Sequence, residues 1–226
     1  LSHVKLAGLF SGGKDSTYAA CIMAQQGHEI GPLVTILPSD PDSWMFHTPN
    51  LHLLPRLAAA MNVPLVSVES KSGEEAELEA LRSVLEGLEV DGVIVGAIAS
   101  DYQWDRINGV CHELGLRVFA PLWRKDQSML MEDMIASGLR AIVVRVSAEG
   151  LDASWLRREL DLAALDELRG LSAGKGINVS GEGGEYETLV LDSPLSRYPL
   201  EPIGSEARVT RDGGSLLVRD LVAGGG

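Results

Sequence analysis

The apolar run Val4-Lys5-Leu6-Ala7-Gly8-Leu9-Phe10 ends abruptly in Ser11-Gly12-Gly13-Lys14-Asp15-Ser16. A buried strand that breaks into paired glycines and restarts as a helix constrains the fold more than any other feature of this chain. The glycines allow a sharp turn and let a ligand approach the backbone closely. The helix start presents unsatisfied N–H groups and partial positive charge. Lys14 adds a point charge, and Ser11 and Ser16 add short hydroxyl donors. The arrangement reads as a pyrophosphate cradle. Its spacing is neither the Gly-x-x-x-x-Gly-Lys-Ser/Thr of a Walker A loop nor the Gly-x-Gly-x-x-Gly of dinucleotide folds.

Strands and helices alternate behind this loop. Apolar segments at 4–10, 31–37, 64–68, 92–96 and 117–120 are separated by helical stretches at 14–26, 50–61, 74–87 and 101–114, with Asn50 and Ser72 as expected caps. Continuous apolar strands between helices predict an α/β fold: a parallel five-stranded sheet with helices on both faces. Ligands bind such sheets at the carboxyl ends of the strands. Those ends carry Ser11–Ser16, Leu37–Asp42, Ser70–Ser72 and Ala97–Asp101.

Pro121 breaks the rhythm, and a smaller α+β C-terminal domain is expected from Trp123. Its predicted elements are a helix at 126–137, a strand at 140–147 and a short helix seeded by Asp152. A Gly-rich loop follows at 174–176, then strands at 188–192, 206–210 and 215–220, the last two joined by an Arg211-Asp212-Gly213-Gly214 turn. The expected division is 1–122 for nucleotide binding and 123–226 for substrate binding.

Charge narrows the partners. A net charge of −13 over 226 residues argues against an extended nucleic-acid surface, which relies on accumulated Lys and Arg. No apolar run approaches the about 18 residues that a membrane span needs, and no signal-peptide pattern opens the chain. The two cysteines, Cys21 and Cys111, have no metal or C-x-x-C spacing. Cys21 reads as a small packed hydrophobe, and the expected setting is reducing and cytoplasmic.

A second constellation lies far along the chain. Gly181-Glu182-Gly183-Gly184-Glu185-Tyr186-Glu187-Thr188 places three carboxylates within six residues. In an extended segment Glu185 and Glu187 would share one face, with Tyr186 on the other. The stretch is either a solvated hairpin loop or an acidic pocket for a cationic group, a metal ion or an amine. Carboxylates this close need a counter-charge to stay ionised in a dry site. Arg106 could hold an acyl carboxylate or an α-phosphate, or it could pair on the surface with Asp101 or Asp105. His47 sits on a long loop as a ligand-border or packing residue. Trp44, Trp104, Trp123 and Trp155 are expected to pack.

The Ser-Gly-Gly-x-Asp-Ser pattern after one strand resembles the loop of the ATP pyrophosphatases, which cleave ATP between its α and β phosphates. The whole chain resembles the diphthine–ammonia ligase family within them. The matching segments are Leu9–Ala19, Met45-Phe46-His47-Thr48-Pro49-Asn50, Gly96–Gln103, Phe119–Trp123, Ala148–Asp152, Gly181–Thr188 and Leu191-Asp192-Ser193-Pro194. With no further domain expected after this core, the likeness is to the single-core archaeal form. The resemblance implies a Rossmann-like, HUP-type fold and the last step of diphthamide synthesis on translation elongation factor 2. ATP and Mg²⁺ would adenylate the diphthine carboxylate, and ammonium would supply the nitrogen that displaces AMP.

The same resemblance implies site roles. Ser11, Gly12, Gly13, Lys14, Asp15, Ser16 and Gly96 would bind ATP and its pyrophosphate. Lys14 and Asp15 would act in catalysis, with Asp15 also placing Mg²⁺; Arg106 is added as a catalytic candidate from its place at the binding edge after strand four, not from the resemblance. Tyr102, Gln103, Glu182, Glu185, Tyr186, Glu187 and Thr188 would bind the substrate, and Tyr186 could offer a cation–π face. A homodimer is the assembly considered. Two rival readings remain at this point. A tRNA-modifying ATP pyrophosphatase predicts a basic surface and, for thiolation, catalytic cysteines; a non-catalytic nucleotide-binding module has no need of the acidic cluster.

Overall fold

The computed structural model describes residues 3–39, 50–71, 73–211 and 213–225, with the side chains of Tyr102 and Gln103 outside that description. The first half builds β1 (Lys5–Leu9), α1 (Lys14–Gln25), β2 (Glu29–Pro38), α2 (Leu54–Met61), β3 (Leu65–Ser70), α3 (Glu74–Glu86), β4 (Gly92–Ile94), α4 (Asp101–Glu113) and β5 (Arg117–Phe119). Among the described residues these strands form one five-stranded sheet in the order β3-β2-β1-β4-β5, parallel throughout. The order reverses between β1 and β4, which is the position where open α/β sheets bind ligands.

The alternation along each strand decides which helix covers which face. Leu6, Phe10, Leu33 and Ile94 pack with Tyr18 and Met23 of α1 and with Leu54 and Leu57 of α2. Ala7, Leu9, Val34, Ile36, Val93 and Val95 pack on the other face with Leu81 and Leu85 of α3 and with Ile107 and Val110 of α4. The expected α/β class and the two covered faces are both present.

The second half contributes α5 (Gln127–Ala136), β6 (Arg140–Val146), α6 (Leu162–Lys175), β7 (Tyr186–Asp192), β8 (Leu200–Thr210) and β9 (Gly213–Ala223). Its strands form an antiparallel sheet in the order β7-β6-β9-β8. Leu130 and Met131 of α5, Leu165 and Leu168 of α6 and Val143 of β6 join the same apolar cluster as α1 and α2. The smaller sheet therefore docks on the α1/α2 side of the larger one, and β7 reaches the start of α1.

Three local expectations change. Asn50 does not cap α2: it is buried, donates to the Leu216 carbonyl at 3.0 Å and accepts from the Val218 N–H at 2.8 Å. A strand of the other sheet takes both of its amide atoms. The reading of 174–176 as a Gly-rich loop missed α6, which Asp161 starts by accepting the Ala164 N–H at 2.8 Å and which ends on Gly176 at φ +74°. Internal Gly170 and Gly174 masked the helical period of Ala164, Leu165 and Leu168. The hairpin strands β8 and β9 run 11 residues each, longer than expected. Ladder pairing carries β8 through Pro202, and a proline fits there because β8 is an edge strand. The short helix expected at Asp152 is present as a 3₁₀ helix over Ala153–Trp155, with Asp152 accepting the Ser154 N–H at 2.8 Å.

The caps and loops assigned to Ser72, 40–42 and Asp212 lie outside the described residues, as do Trp44 and His47 with the rest of 45–49. Trp104 and Trp123 stack on each other at 4.9 Å and Trp155 is buried, so these three pack. Cys21 and Cys111 are buried free thiols, each pushed up to about 11 by burial. Among the described residues no helix is long and apolar enough to cross a membrane.

Candidate active site

The Ser-Gly-Gly loop turns between β1 and α1 through Gly12, whose φ of +76° is a left-handed conformation that glycine adopts without strain. Its hydroxyls close the turn on itself. The Ser11 and Ser16 Oγ atoms lie 3.2 Å apart, the Gly13 N–H donates to Ser11 Oγ at 3.3 Å, and Ser16 Oγ donates to the Gly13 carbonyl at 3.2 Å. Gly96, just past β4, lies against this loop. A Cβ there would stand 2.7 Å from the Ser16 nitrogen and 2.8 Å from the Asp15 carbonyl carbon, so only glycine allows the approach.

Gly13 occupies the N-cap of α1 and has no side chain with which to cap it. Thr188 of β7 substitutes: its Oγ1 accepts the Lys14 N–H at 3.0 Å across 174 residues of sequence. The Val190 N–H also donates to the Gly12 carbonyl at 3.0 Å. The second sheet therefore finishes the phosphate loop. Thr188 is 5% exposed, and β7 turns its hydroxyl towards the loop.

Lys14 is also buried. Its Nζ contacts Asp15 Oδ2 at 2.8 Å and Oδ1 at 3.0 Å, and donates to the Ser180 carbonyl at 2.5 Å. It stands 5.4 Å from the centroid of the Tyr186 ring. That ring is 4% exposed, and its hydroxyl donates to the Val179 carbonyl at 2.7 Å. Burial, then the charges of Asp15 and Glu185, hold the Tyr186 phenol well above its usual range, so it stays neutral. The cation over Tyr186 in this structure is Lys14.

The three glutamates of the acidic segment do not share one pocket. Glu182 reaches the other domain and accepts the N–H groups of Ile98, Ala99 and Ser100 at 3.1, 2.7 and 3.1 Å. Glu185 Oε1 accepts the Asn178 backbone N–H at 2.8 Å and its side-chain amide at 2.7 Å, while Oε2 is buried with no hydrogen-bond partner among the described residues. Glu187 pairs with Arg145 of β6 at 3.1 Å. The counter-charge that close carboxylates require is thus supplied at Glu187 by a cation of the chain itself.

Arg106 of α4 is ion-paired to Glu74 of α3. Tyr102 and Gln103 belong to the first turn of α4, and their side chains lie outside the described residues. Sequence reasoning missed the support of the Gly-rich segment. Gln127 accepts from the Ser180 N–H at 3.2 Å and its hydroxyl at 3.0 Å, and its amide donates to Asn178 Oδ1 at 3.1 Å. A lone glutamine at the start of α5 carries no motif. The polar run Asn178–Ser180 beside the glycines was the signal available.

One cavity joins the two motifs. About 180 Å³ in volume, it opens at the β1/β4 switch point between Ser11, Asp15, Ser16, Gly96, Ala97 and Glu182. Pockets that enclose a whole drug-sized ligand run to about 300–1,000 Å³, so this space suits one part of a nucleotide. Serine hydroxyls, a helix start and a nearby lysine are donors for phosphate oxygens. Among the described residues no cluster of three or more His, Cys, Asp or Glu could hold a metal alone. Asp15 on the cavity wall fits a Mg²⁺ ion that takes most of its ligands from phosphate and water.

Residues 4–118 match the family model described as diphthamide synthase N-terminal domain, and residues 126–222 match the diphthamide synthase C-terminal domain. A mouse protein named diphthine--ammonia ligase is 37% identical over 226 aligned positions, covering 90% of this chain and 85% of its own. The zebrafish protein of that name is 40% identical over 214 positions, at 85% and 84% coverage. The human one is 38% identical over 226 positions, at 90% and 84%. With both family models in order and relatives matched along most of their length, the chain belongs to the diphthine–ammonia ligase family.

Proposed function

We propose that this chain is an ATP-dependent amide ligase that converts diphthine on translation elongation factor 2 to diphthamide. Membership of a family whose relatives are named diphthine--ammonia ligase supports the reaction. The observation that carries the reading is the shared cavity, where the Ser-Gly-Gly loop meets Glu182 of the acidic segment. The diphthine carboxylate oxygen attacks the α-phosphorus of ATP, the α–β bridging P–O bond breaks, and pyrophosphate leaves. Ammonia then attacks the acyl carbon, the bond to AMP breaks, and the nitrogen sheds its surplus proton as the amide forms.

The chain's own groups divide this work. Ser11, Gly12, Gly13 and Ser16 cradle the β and γ phosphates. Lys14 leaves Asp15 and the Ser180 carbonyl for the departing pyrophosphate, where a preformed cation stabilises charge as it develops. Gly96 keeps β4 close enough to complete the cradle. Asp15 would hold Mg²⁺, which when bound neutralises phosphate charge. Arg106 takes part by exchanging Glu74 for the α-phosphate or the acyl carboxylate. Glu185, with its buried free Oε2, meets the positive side of the chemistry: the trimethylammonium group of diphthine or the incoming ammonium. Tyr102 and Gln103, in the first turn of α4, are assigned to the substrate on this reading.

The same reading assigns 1–122 to nucleotide binding and 123–226 to the protein substrate, and places the enzyme in the cytoplasm with its elongation factor. The test is direct. Purified chain, ATP, Mg²⁺, ammonium and diphthine-bearing elongation factor should yield the amide, detected as the mass change of the modified peptide. An unchanged peptide under conditions where ATP binds would refute the assignment.

A further inference from the structure

Glu182 stands apart from the rest of the acidic segment. Its Oε1 accepts three consecutive backbone N–H groups, those of Ile98, Ala99 and Ser100, at 2.7 to 3.1 Å. These residues connect β4 to α4, and their amides precede the helix start, where N–H groups lack intrahelical partners. Concave sets of successive amides bind anions. Here the anion is a side chain from 82 to 84 residues further along the chain.

The position of this loop matters to the phosphate cradle. Gly96 and Ala97, immediately before the three amides, line the same cavity as Ser11, Asp15 and Ser16. Gly96 approaches the Ser16 and Asp15 backbone so closely that no side chain fits between them. A shift of 98–100 would therefore change the wall against which the phosphate loop rests. Glu182 leaves Gly181, a glycine at φ +74° whose own surroundings are filled by Tyr186. Its carboxylate thus extends from a segment fixed by the buried Tyr186.

We infer that Glu182 is a positioning residue for the nucleotide half of the site: it clamps the β4–α4 loop across the domain junction and does not recognise the cationic substrate. The inference rests on ATP binding at the Ser-Gly-Gly loop, but it reassigns the first glutamate of the acidic segment from the substrate to the nucleotide. What the clamp requires is an acceptor oxygen at Oε1. A cation site would require negative charge. Glutamine keeps the first and removes the second; alanine removes both.

Two readouts on the intact chain separate these roles. The first is hydrogen–deuterium exchange of the peptide covering 98–100, without any nucleotide. Glu182→Ala should exchange these amides at least about 10-fold faster, whereas Glu182→Gln should stay within about 3-fold of wild type. The second is the Kd of the non-cleavable analogue α,β-methylene ATP by calorimetry. Glu182→Ala should weaken it by at least about 10-fold and Glu182→Gln by less than about 3-fold, with thermal unfolding showing both variants folded. Unchanged exchange in Glu182→Ala overturns the clamp, and so does a glutamine variant as impaired as alanine in both readouts. If the wild type shows the protected amides but does not bind the analogue, the nucleotide role falls together with the proposed function. The exchange experiment then still decides whether the clamp exists.

Discussion

The phosphate loop and the acidic segment look alike in sequence, each a short Gly-rich stretch with charged residues, yet they work in opposite ways. In Ser11–Ser16 the backbone carries the geometry: Gly12 turns at positive φ, the two serines close the turn, and α1 begins at once. In Gly181–Thr188 the side chains carry it, and each goes to a different element. Glu182 reaches the β4–α4 loop, Glu185 reaches Asn178, Glu187 reaches Arg145, and Thr188 caps α1. A backbone motif is local and can be read from its own residues. A set of side chains takes its meaning from partners that only the tertiary fold supplies.

Substitutions in the two regions should therefore fail differently, and the largest effect belongs to the phosphate loop. Lys14→Ala removes the buried cation beside the cavity and should lower kcat by about 10²–10³-fold, the scale of losing one preorganised electrostatic group. A single-turnover assay of ATP cleavage reads this directly. Gly96→Ala forces a methyl group against the Asp15–Ser16 backbone. It should cost about 1–3 kcal/mol of stability, the usual penalty for overpacking, seen as a lower Tm together with weaker ATP binding.

Within the acidic segment the effects should split by partner. Glu185→Gln keeps the Asn178 contacts through Oε1 but loses the charge at the free oxygen. It should leave ATP affinity intact and raise KM for diphthine-bearing elongation factor or ammonium by about 10-fold, the scale of one charge-assisted contact. Thr188→Val deletes the acceptor for the Lys14 N–H and should cost about 1 kcal/mol, as a lost N-cap does. Urea unfolding would measure it. If Glu185→Gln and Thr188→Val both act only on ATP, the contrast between the two regions collapses.

The smallest effect is a background one. Burial raises both thiols from 9.0 to about 11, so the folded state disfavours their ionisation. Their contribution to stability is complete below pH 9 and lost as pH rises towards 11. Urea midpoints of the Cys21→Ser, Cys111→Ser double variant should therefore fall less steeply between pH 8.5 and 10.5 than those of wild type.

How much was legible follows from the same contrast. The parallel sheet was readable because β1 to β5 are short, mostly apolar runs separated by helices, and each run depends on its own composition. The phosphate loop was readable because its glycines and serines act on one another. Helix α6 was not, because Gly170 and Gly174 resemble loop residues until tertiary packing of Ala164, Leu165 and Leu168 outweighs their cost. Asn50 looked like a cap because its neighbours allow one, yet β9 claims both of its amide atoms. Gln127, which steadies Asn178 and Ser180, carries no local pattern at all. The acidic segment stands out in the sequence but is not divisible there, since nothing in its spacing shows that Glu182 crosses to another domain.

The central claim is that the two regions act together to split ATP between its α and β phosphates and deliver the acyl group to ammonia. Phosphorus NMR of a reaction holding the chain, ATP, Mg²⁺, ammonium and diphthine-bearing elongation factor tests it most directly. AMP and pyrophosphate should appear in equal amounts, one of each per amide formed, and none without the protein substrate. Formation of ADP and orthophosphate, or of amide with ATP intact, would contradict it.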